Sequence, residues 1–166
     1  WLNFFQVMLE INDAPFKRNQ DLILNLLLQR KEAVLDLTGD YLDSPYVSKS
    51  DPRNGKSRLD LILDGDHKKE PKMSLVLYHT ASLNILSMCT RGKNPGAKSK
   101  LFTLVSVETI VDNVLDCQKK PDGSVASEAD EDAILGVRNA WIQLLLNVFL
   151  TSQDTVAIKQ VLSEDR

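Results

Sequence analysis

The chain has 166 residues, of which 43% are hydrophobic and 26% are charged, a balance typical of a folded domain and unlike that of a disordered tail. Its 20 Lys+Arg and 23 Asp+Glu give a formal net charge of -3, so the sequence lacks the basic excess expected of a nucleic-acid-binding protein. The two cysteines, Cys89 and Cys117, lie outside any CxxC or Cys/His spacing, which predicts reduced, buried thiols.

Hydrophobic residues with helical spacing predict a first amphipathic helix that ends near residue 11: Trp1, Phe4, Phe5 and Met8. Residues 12–15 break the pattern, and a second helix is predicted from about Lys17, with an apolar stripe of Leu22, Ile23, Leu26 and Leu27. Because the pattern is already under way at Trp1, we expect the chain to be a segment of a longer protein.

Residues 35–71 are the least regular part of the sequence, with six Gly and Pro residues among many Asp, Ser and Lys residues. Only residues 58–63 have the composition of a short helix. A loop of this length is uncommon in a compact domain, so we expect part of it to be mobile or an insertion.

Regular patterning then resumes with a helix that ends near Thr90 and has one face formed by Leu75, Tyr78, Ser82, Ile85, Leu86 and Cys89. Residues 91–100 are predicted to be a polar loop. Ser106 is suited to cap the next helix, whose apolar residues are Val107, Ile110, Val111, Val114 and Leu115.

After a loop at residues 118–126, Ser127 and Asp130 form an approximate capping box for the longest helix, which extends to about residue 150. The stripe of this helix is Ile134, Val137, Trp141, Leu144, Leu145 and Val148. A last helix is predicted after Thr151 or Ser152.

The pattern predicts an all-α protein of about six helices and no convincing strand, in a single domain over residues 1–166. Pairs of helices of this kind suit an armadillo- or HEAT-like solenoid, although the sequence has no clean repeat period. Two stretches lack formal charge, residues 73–90 and 139–153, but polar side chains interrupt both. Neither therefore supplies the roughly 20 predominantly apolar residues that a membrane span requires.

The sequence contains no clear catalytic or metal-binding pattern. His67 lies in a charged loop and His79 on a helix without a partner at metal-ligand spacing, so both are predicted to be structural or solvated. Asp60, Asp64 and Asp66 do not match an EF-hand loop. The sequence therefore predicts a protein that is not an enzyme and has no catalytic residue, metal or cofactor.

One loop invites a phosphate-binding interpretation because it carries four cations: Arg91, Lys93, Lys98 and Lys100. The spacing of Gly92 and Gly96 does not fit a phosphate-binding loop, and a helix precedes the segment where that motif needs a strand. Contact with a phosphate or an acidic surface stays open, with a solvated loop favoured.

Two stretches carry a family resemblance. The first is residues 1–6 (WLNFFQ) followed by residues 17–21 (KRNQD), and the second is Tyr78-His79 followed by Leu86 and residues 89–94 (CTRGKN). Both are similar to a central helical region of inositol trisphosphate receptors, within the homology domain that these calcium-release channels share with ryanodine receptors.

The resemblance extends to residues 101–114 and 138–149, which are similar to the next segments of that homology domain. Residues 35–71 look longer than their counterpart, residues 118–126 look inserted, and Arg91 stands where an acid is expected. The resemblance implies a scaffold on the cytosolic face of the endoplasmic reticulum, in a larger membrane protein that assembles as a homotetramer.

In such a channel this segment transmits conformational change between the ligand-binding and pore regions. Its partners are the other domains of the same polypeptide and protein regulators. The ligand pocket and the pore lie elsewhere in the family, so the resemblance assigns no ligand-binding residue here. Two alternatives remain open: a helical-repeat adaptor that binds a partner peptide, and an inositol-phosphate-binding module that uses the four cations.

Overall fold

The computed structural model describes residues 2–11, 14–29, 42–46, 51–70, 73–92, 94–117 and 127–150. This part of the chain contains seven α-helices and one short β-ladder: α1 (Leu2–Leu9), β1 (Glu10–Ile11), β2 (Ala14–Pro15), α2 (Lys17–Gln29), α3 (Arg58–Leu63), α4 (Leu75–Thr90), α5 (Pro95–Leu101), α6 (Val107–Asp116) and α7 (Glu128–Leu150). A 3₁₀ helix, Asp66–Lys68, lies between α3 and α4. The all-α prediction is confirmed for these residues, whereas the predicted last helix and the loop at 118–126 lie outside them.

The centre of the fold is α4, against which α7 packs most extensively and which α1, α2, α3 and α5 also contact. Apolar residues on several sides of α4 are fully buried, among them Leu83, Ile85 and Leu86. A helix that is apolar around most of its circumference is stable only when other elements surround it. The predicted face of α4 is therefore confirmed but is only part of its buried surface.

The longest helix, α7, has the buried stripe that the sequence predicts. Trp141 and Leu144 are fully buried, and Val137 and Val148 are nearly so. The capping box is also confirmed, because the Ser127 backbone N–H donates to Asp130 Oδ2 (2.9 Å) and the Asp130 N–H donates to Ser127 Oγ (3.3 Å). No helix in the described ranges combines the length and the apolar composition that crossing a bilayer requires.

The first two helices form as predicted, but their buried faces differ from the predicted stripes. In α1, Phe4 is 54% exposed and Leu9 is fully buried. In α2, Leu22 is 55% exposed, whereas Leu24 and the polar Gln20 are fully buried. The sequence offers apolar residues on more than one side of each helix, so periodicity alone does not select the face that meets α4.

Residues 42–46 and 51–70, the described part of the predicted insertion, are mostly turns and irregular backbone, and the insertion itself stays a prediction. The predicted short helix is present as α3, with a capping box between Ser57 and Asp60. Leu61 and Ile62 are buried in the main core. The backbone N–H of Tyr46 donates to the Lys56 carbonyl (2.8 Å), which ties the two described pieces of this segment together.

Residues 91–100 are not the predicted polar loop, because most of this stretch belongs to α5. Asn94 caps α5 by accepting a hydrogen bond from the Ala97 N–H (3.2 Å), and Pro95 occupies the first turn. Ala97 and Leu101 are fully buried. A cap followed by Pro at the first helical position is a start signal that the sequence did contain.

Candidate functional site

A buried polar junction joins α2 to the end of α4 and the start of α5, and its centre is Gln20. The Gln20 side chain is fully buried, and its Nε2 donates to the carbonyls of Met88 (2.8 Å) and Arg91 (2.9 Å). Its Oε1 accepts a hydrogen bond from Asn94 Nδ2 (3.2 Å). One amide therefore binds two carbonyls at the C-terminal end of α4, and it also orients the cap of α5.

The same junction is supported from the β1–β2 ladder. Gly92 has φ +80°, a conformation that glycine adopts at little cost, and an added Cβ would lie 2.8 Å from Pro15 Cγ. The Arg91 guanidinium forms an ion pair with Glu10 of β1. The turn between α4 and α5 is thus held against the start of the chain by the conformation of Gly92, by its close packing on Pro15 and by the ion pair of Arg91 with Glu10.

We call this set of residues, Glu10, Pro15, Gln20, Arg91, Gly92 and Asn94, the Gln20 junction. It lies where the two stretches that carry the family resemblance meet. Gln20 belongs to the first stretch and Asn94 to the second, 74 positions apart in sequence. Burial of a fully hydrogen-bonded polar group fixes one relative arrangement of the elements that carry it, because any displacement leaves polar atoms unsatisfied.

A second polar junction is centred on Asp66 in the 3₁₀ helix. The carboxylate is fully buried and its Oδ2 accepts hydrogen bonds from the backbone N–H groups of Leu75 (2.6 Å) and Val76 (3.0 Å) at the start of α4. Oδ1 accepts from Lys69 Nζ (2.9 Å) and from Arg53 Nη1 (3.4 Å). Burial acts to raise the pKa of Asp66, but the Val76 N–H and the Lys69 ammonium outweigh it, so the pKa is lowered.

The residues immediately after Asp66 contact the start of α7. His67 Nε2 lies 3.3 Å from Asp130 Oδ1, and both side chains are only 8% exposed. Lys68 Nζ lies 3.2 Å from the same oxygen. Hydrogen bonds from the Ser127 side chain and backbone, with a smaller contribution from Lys68, hold the pKa of Asp130 at about 2. The 3₁₀ helix therefore connects the N-terminal ends of α4 and α7.

Three titratable side chains, those of His79, Cys89 and Cys117, are buried, and burial shifts the pKa of each one away from its usual value. His79 is 4% exposed, and burial together with the nearby Arg58 guanidinium lowers its pKa to about 3, so the imidazole is neutral at physiological pH. Both cysteines are free and buried, as predicted. Burial raises the pKa of each thiol to about 12, so neither is a ready nucleophile.

The four cations of residues 91–100, for which the sequence favours a solvated loop and leaves a phosphate or acidic-surface contact open, have different surroundings. Arg91 pairs with Glu10, and Lys100 Nζ donates to Asn25 Oδ1 (2.9 Å). Lys98 is 9% exposed, and its Nζ donates to the Val148 carbonyl near the end of α7 (2.5 Å), where burial lowers its pKa. Lys93 lies outside the described residues. The three described cations therefore contact three separate partners.

Sequence reasoning missed the residues that organise these junctions. Gln20 was not singled out, although a polar residue on the same helical face as Ile23 and Leu24 is a signal for a buried amide. Asp66 was considered only as a calcium ligand, whereas its position shortly before an apolar helix also suits a capping carboxylate. Among the described residues, no group of three or more His, Cys, Asp or Glu side chains is placed to hold a metal ion.

Comparison with known proteins adds no assignment. No protein-family model, curated protein or solved structure matches this chain.

Proposed function

We propose that this chain is a non-enzymatic coupling scaffold, an armadillo-like segment of an intracellular ligand-gated calcium-release channel of the inositol trisphosphate receptor type. In this proposal it lies on the cytosolic face of the endoplasmic reticulum, within a homotetramer, and transmits movement between the ligand-binding and pore regions. The observation that supports it most directly is the Gln20 junction, where the two stretches that resemble this family meet in a hydrogen-bond network around the buried Gln20 side chain.

A coupling segment has to pass displacement from one end to the other, so its helices must move as one body. The Gln20 junction joins α2, α4 and α5, and the Asp66 junction joins the 3₁₀ helix to the starts of α4 and α7. Packed elements locked by such networks shift between discrete arrangements and deform little in between.

The proposal is tested in the full-length polypeptide that contains this chain. It is expressed in cells that lack inositol trisphosphate receptors, and calcium release from internal stores is measured against inositol trisphosphate concentration. Gln20→Leu is compared with Gln29→Leu, which alters an exposed residue at the end of the same helix. We expect Gln20→Leu to raise the concentration needed for half-maximal release while ligand binding stays unchanged, and Gln29→Leu to have no effect.

Two results would count against the coupling role. The first is wild-type protein that reaches the membrane and gives no ligand-dependent release. The second is a Gln20→Leu variant that is folded and releases calcium with the wild-type concentration dependence.

The inositol-phosphate-binding alternative is less well supported, because its cations have other partners. Lys98 is bound to the Val148 carbonyl and Arg91 to Glu10. Calorimetric titration of the 166-residue chain with inositol trisphosphate should therefore give no measurable heat. Saturable heat that Lys98→Met or Arg91→Met abolishes would favour the alternative.

A further inference from the structure

A cleft of about 610 Å³ lies between α1, α4 and α7, and it includes Glu10 and Arg91 of the Gln20 junction. Its volume falls within the range of roughly 300–1,000 Å³ that is typical of ligand sites. Amide side chains from all three helices line it: Gln6, Asn84, Gln143 and Asn147. Four amides converging on one cleft provide paired donors and acceptors.

Three of these amides are available to a ligand. Those of Gln6, Asn84 and Gln143 make no hydrogen bond to the described part of the chain. The amide of Asn147 is oriented differently, because its Nδ2 donates to Ser87 Oγ (2.7 Å) and to the Ser87 carbonyl (3.2 Å). That contact ties α7 to α4 within the lining of the cleft.

The shape and charge of the cleft favour an extended peptide. Its α4 wall runs along the helical face from Asn84 to Arg91, which is about 10 Å at 1.5 Å per residue. An extended chain advances about 3.3 Å per residue, so this length matches about three residues. Glu10 and Arg91 pair with each other at one end, so the lining has no net charge to select a phosphate.

We propose that this cleft binds the main chain of an extended peptide segment, with the amides of Asn84, Gln143 and Gln6 pairing with its N–H and C=O groups. Met88 lies between the polar positions and provides a flexible apolar contact for one side chain of the ligand. The site does not depend on the coupling role, because it would serve a docking regulator or an adaptor equally.

The experiment uses the whole 166-residue chain. A phage-displayed library of random linear peptides is selected on it, and the strongest peptide is synthesised and titrated by fluorescence anisotropy. The test variants are Asn84→Ala and Gln143→Ala. The matched control is Asn139→Ala, which removes an exposed amide from α7 one turn before Gln143 and outside the cleft. Matching melting temperatures establish that the variants are folded.

We expect each test variant to bind about three- to tenfold more weakly, the effect of losing one or two hydrogen bonds, and Asn139→Ala to bind as wild type does. Methylation of single backbone nitrogens in the peptide should weaken binding at about three adjacent positions, in line with the length of the α4 wall.

Four results would overturn the proposal. The selection can yield no binding peptide, or peptides whose affinity neither Asn84→Ala nor Gln143→Ala changes. Methylation of the peptide's backbone nitrogens can leave binding unchanged at every position, which would show that the cleft recognises the side chains of the peptide and not its main chain. Alternatively, the chain can dimerise with a concentration dependence that the same variants abolish, which would make a second copy the occupant.

Discussion

Replacement of Gln20 by leucine should destabilise the protein through polar groups that lose their partner. The two side chains have similar size, so packing within α2 is largely kept. The Met88 and Arg91 carbonyls lose their donor and Asn94 Nδ2 loses an acceptor. Each such loss costs about 1 kcal/mol net and up to about 3 kcal/mol when no other partner is available.

Alternative partners reduce this cost. The Met88 carbonyl also accepts from the Arg91 N–H (3.2 Å), and Asn94 Nδ2 also lies 3.3 Å from Asp21 Oδ1. We therefore expect Gln20→Leu to lower the free energy of unfolding by about 2–4 kcal/mol. For a domain of this size that corresponds to a fall in melting temperature of about 5–15 °C.

The assay is urea denaturation monitored by circular dichroism, with Gln29→Leu as the exposed control on the same helix. The control should change the free energy of unfolding by less than about 0.5 kcal/mol. A Gln20→Leu midpoint equal to that of wild type would refute the assignment of Gln20 as the centre of a buried junction.

A second substitution at the same position separates lost hydrogen bonds from general disruption. Gln20→Glu keeps the shape but places a carboxylate against two carbonyls, so its pKa in the folded protein should be raised. Stability is then greatest below the unfolded pKa of about 4.3 and falls as the pH rises through the folded pKa. Gln20→Leu should show no such additional pH dependence.

Three further predictions concern the core, the Asp66 junction and the Gly92 turn. Trp141→Ala should lower the free energy of unfolding by about 3–5 kcal/mol. An unchanged denaturation midpoint would show that Trp141 is not part of the core. Asp66→Asn should cost about 1–3 kcal/mol at neutral pH. Because the pKa of Asp66 is lowered from 3.8, this difference should shrink as the pH falls below that value, and a pH-independent difference would contradict the capping role. Gly92→Ala should cost more than Gly55→Ala, because both glycines have positive φ but only an added Cβ at position 92 meets Pro15. Equal melting temperatures of these two variants would show that the contact is unimportant.

The regular helices could be predicted because local rules determine them. Residues 58–63, 75–90 and 107–116 form helices where the sequence predicts them, with Ser57, Ser74 and Ser106 as caps. The stripe on α7 is confirmed because Trp141, Leu144 and Val148 are buried, whereas Leu135 and Leu146, outside the predicted stripe, are exposed. The helix α5 was missed because its seven residues are too few to show a period and four of them are polar or glycine.

The candidate sites were less predictable because they depend on contacts between distant segments. Lys98 was predicted to be part of a solvated cationic loop, yet α7 provides a carbonyl that holds it in the interior. The cleft exists because Gln6, Asn84 and Gln143 meet from three helices. No local pattern around any one of these amides distinguishes it from an ordinary exposed residue.

The sequence by itself determined that the chain is helical, where most of its helices begin and that its two cysteines are buried, because spacing, capping and composition act within a few residues. The tertiary structure alone decided which faces of α1 and α2 are buried, and that Gln20 and Asp66 organise the interior. The physical reason is that a buried polar group is tolerated only where a partner is present. Here those partners come from segments that chain folding, and not sequence proximity, brings together.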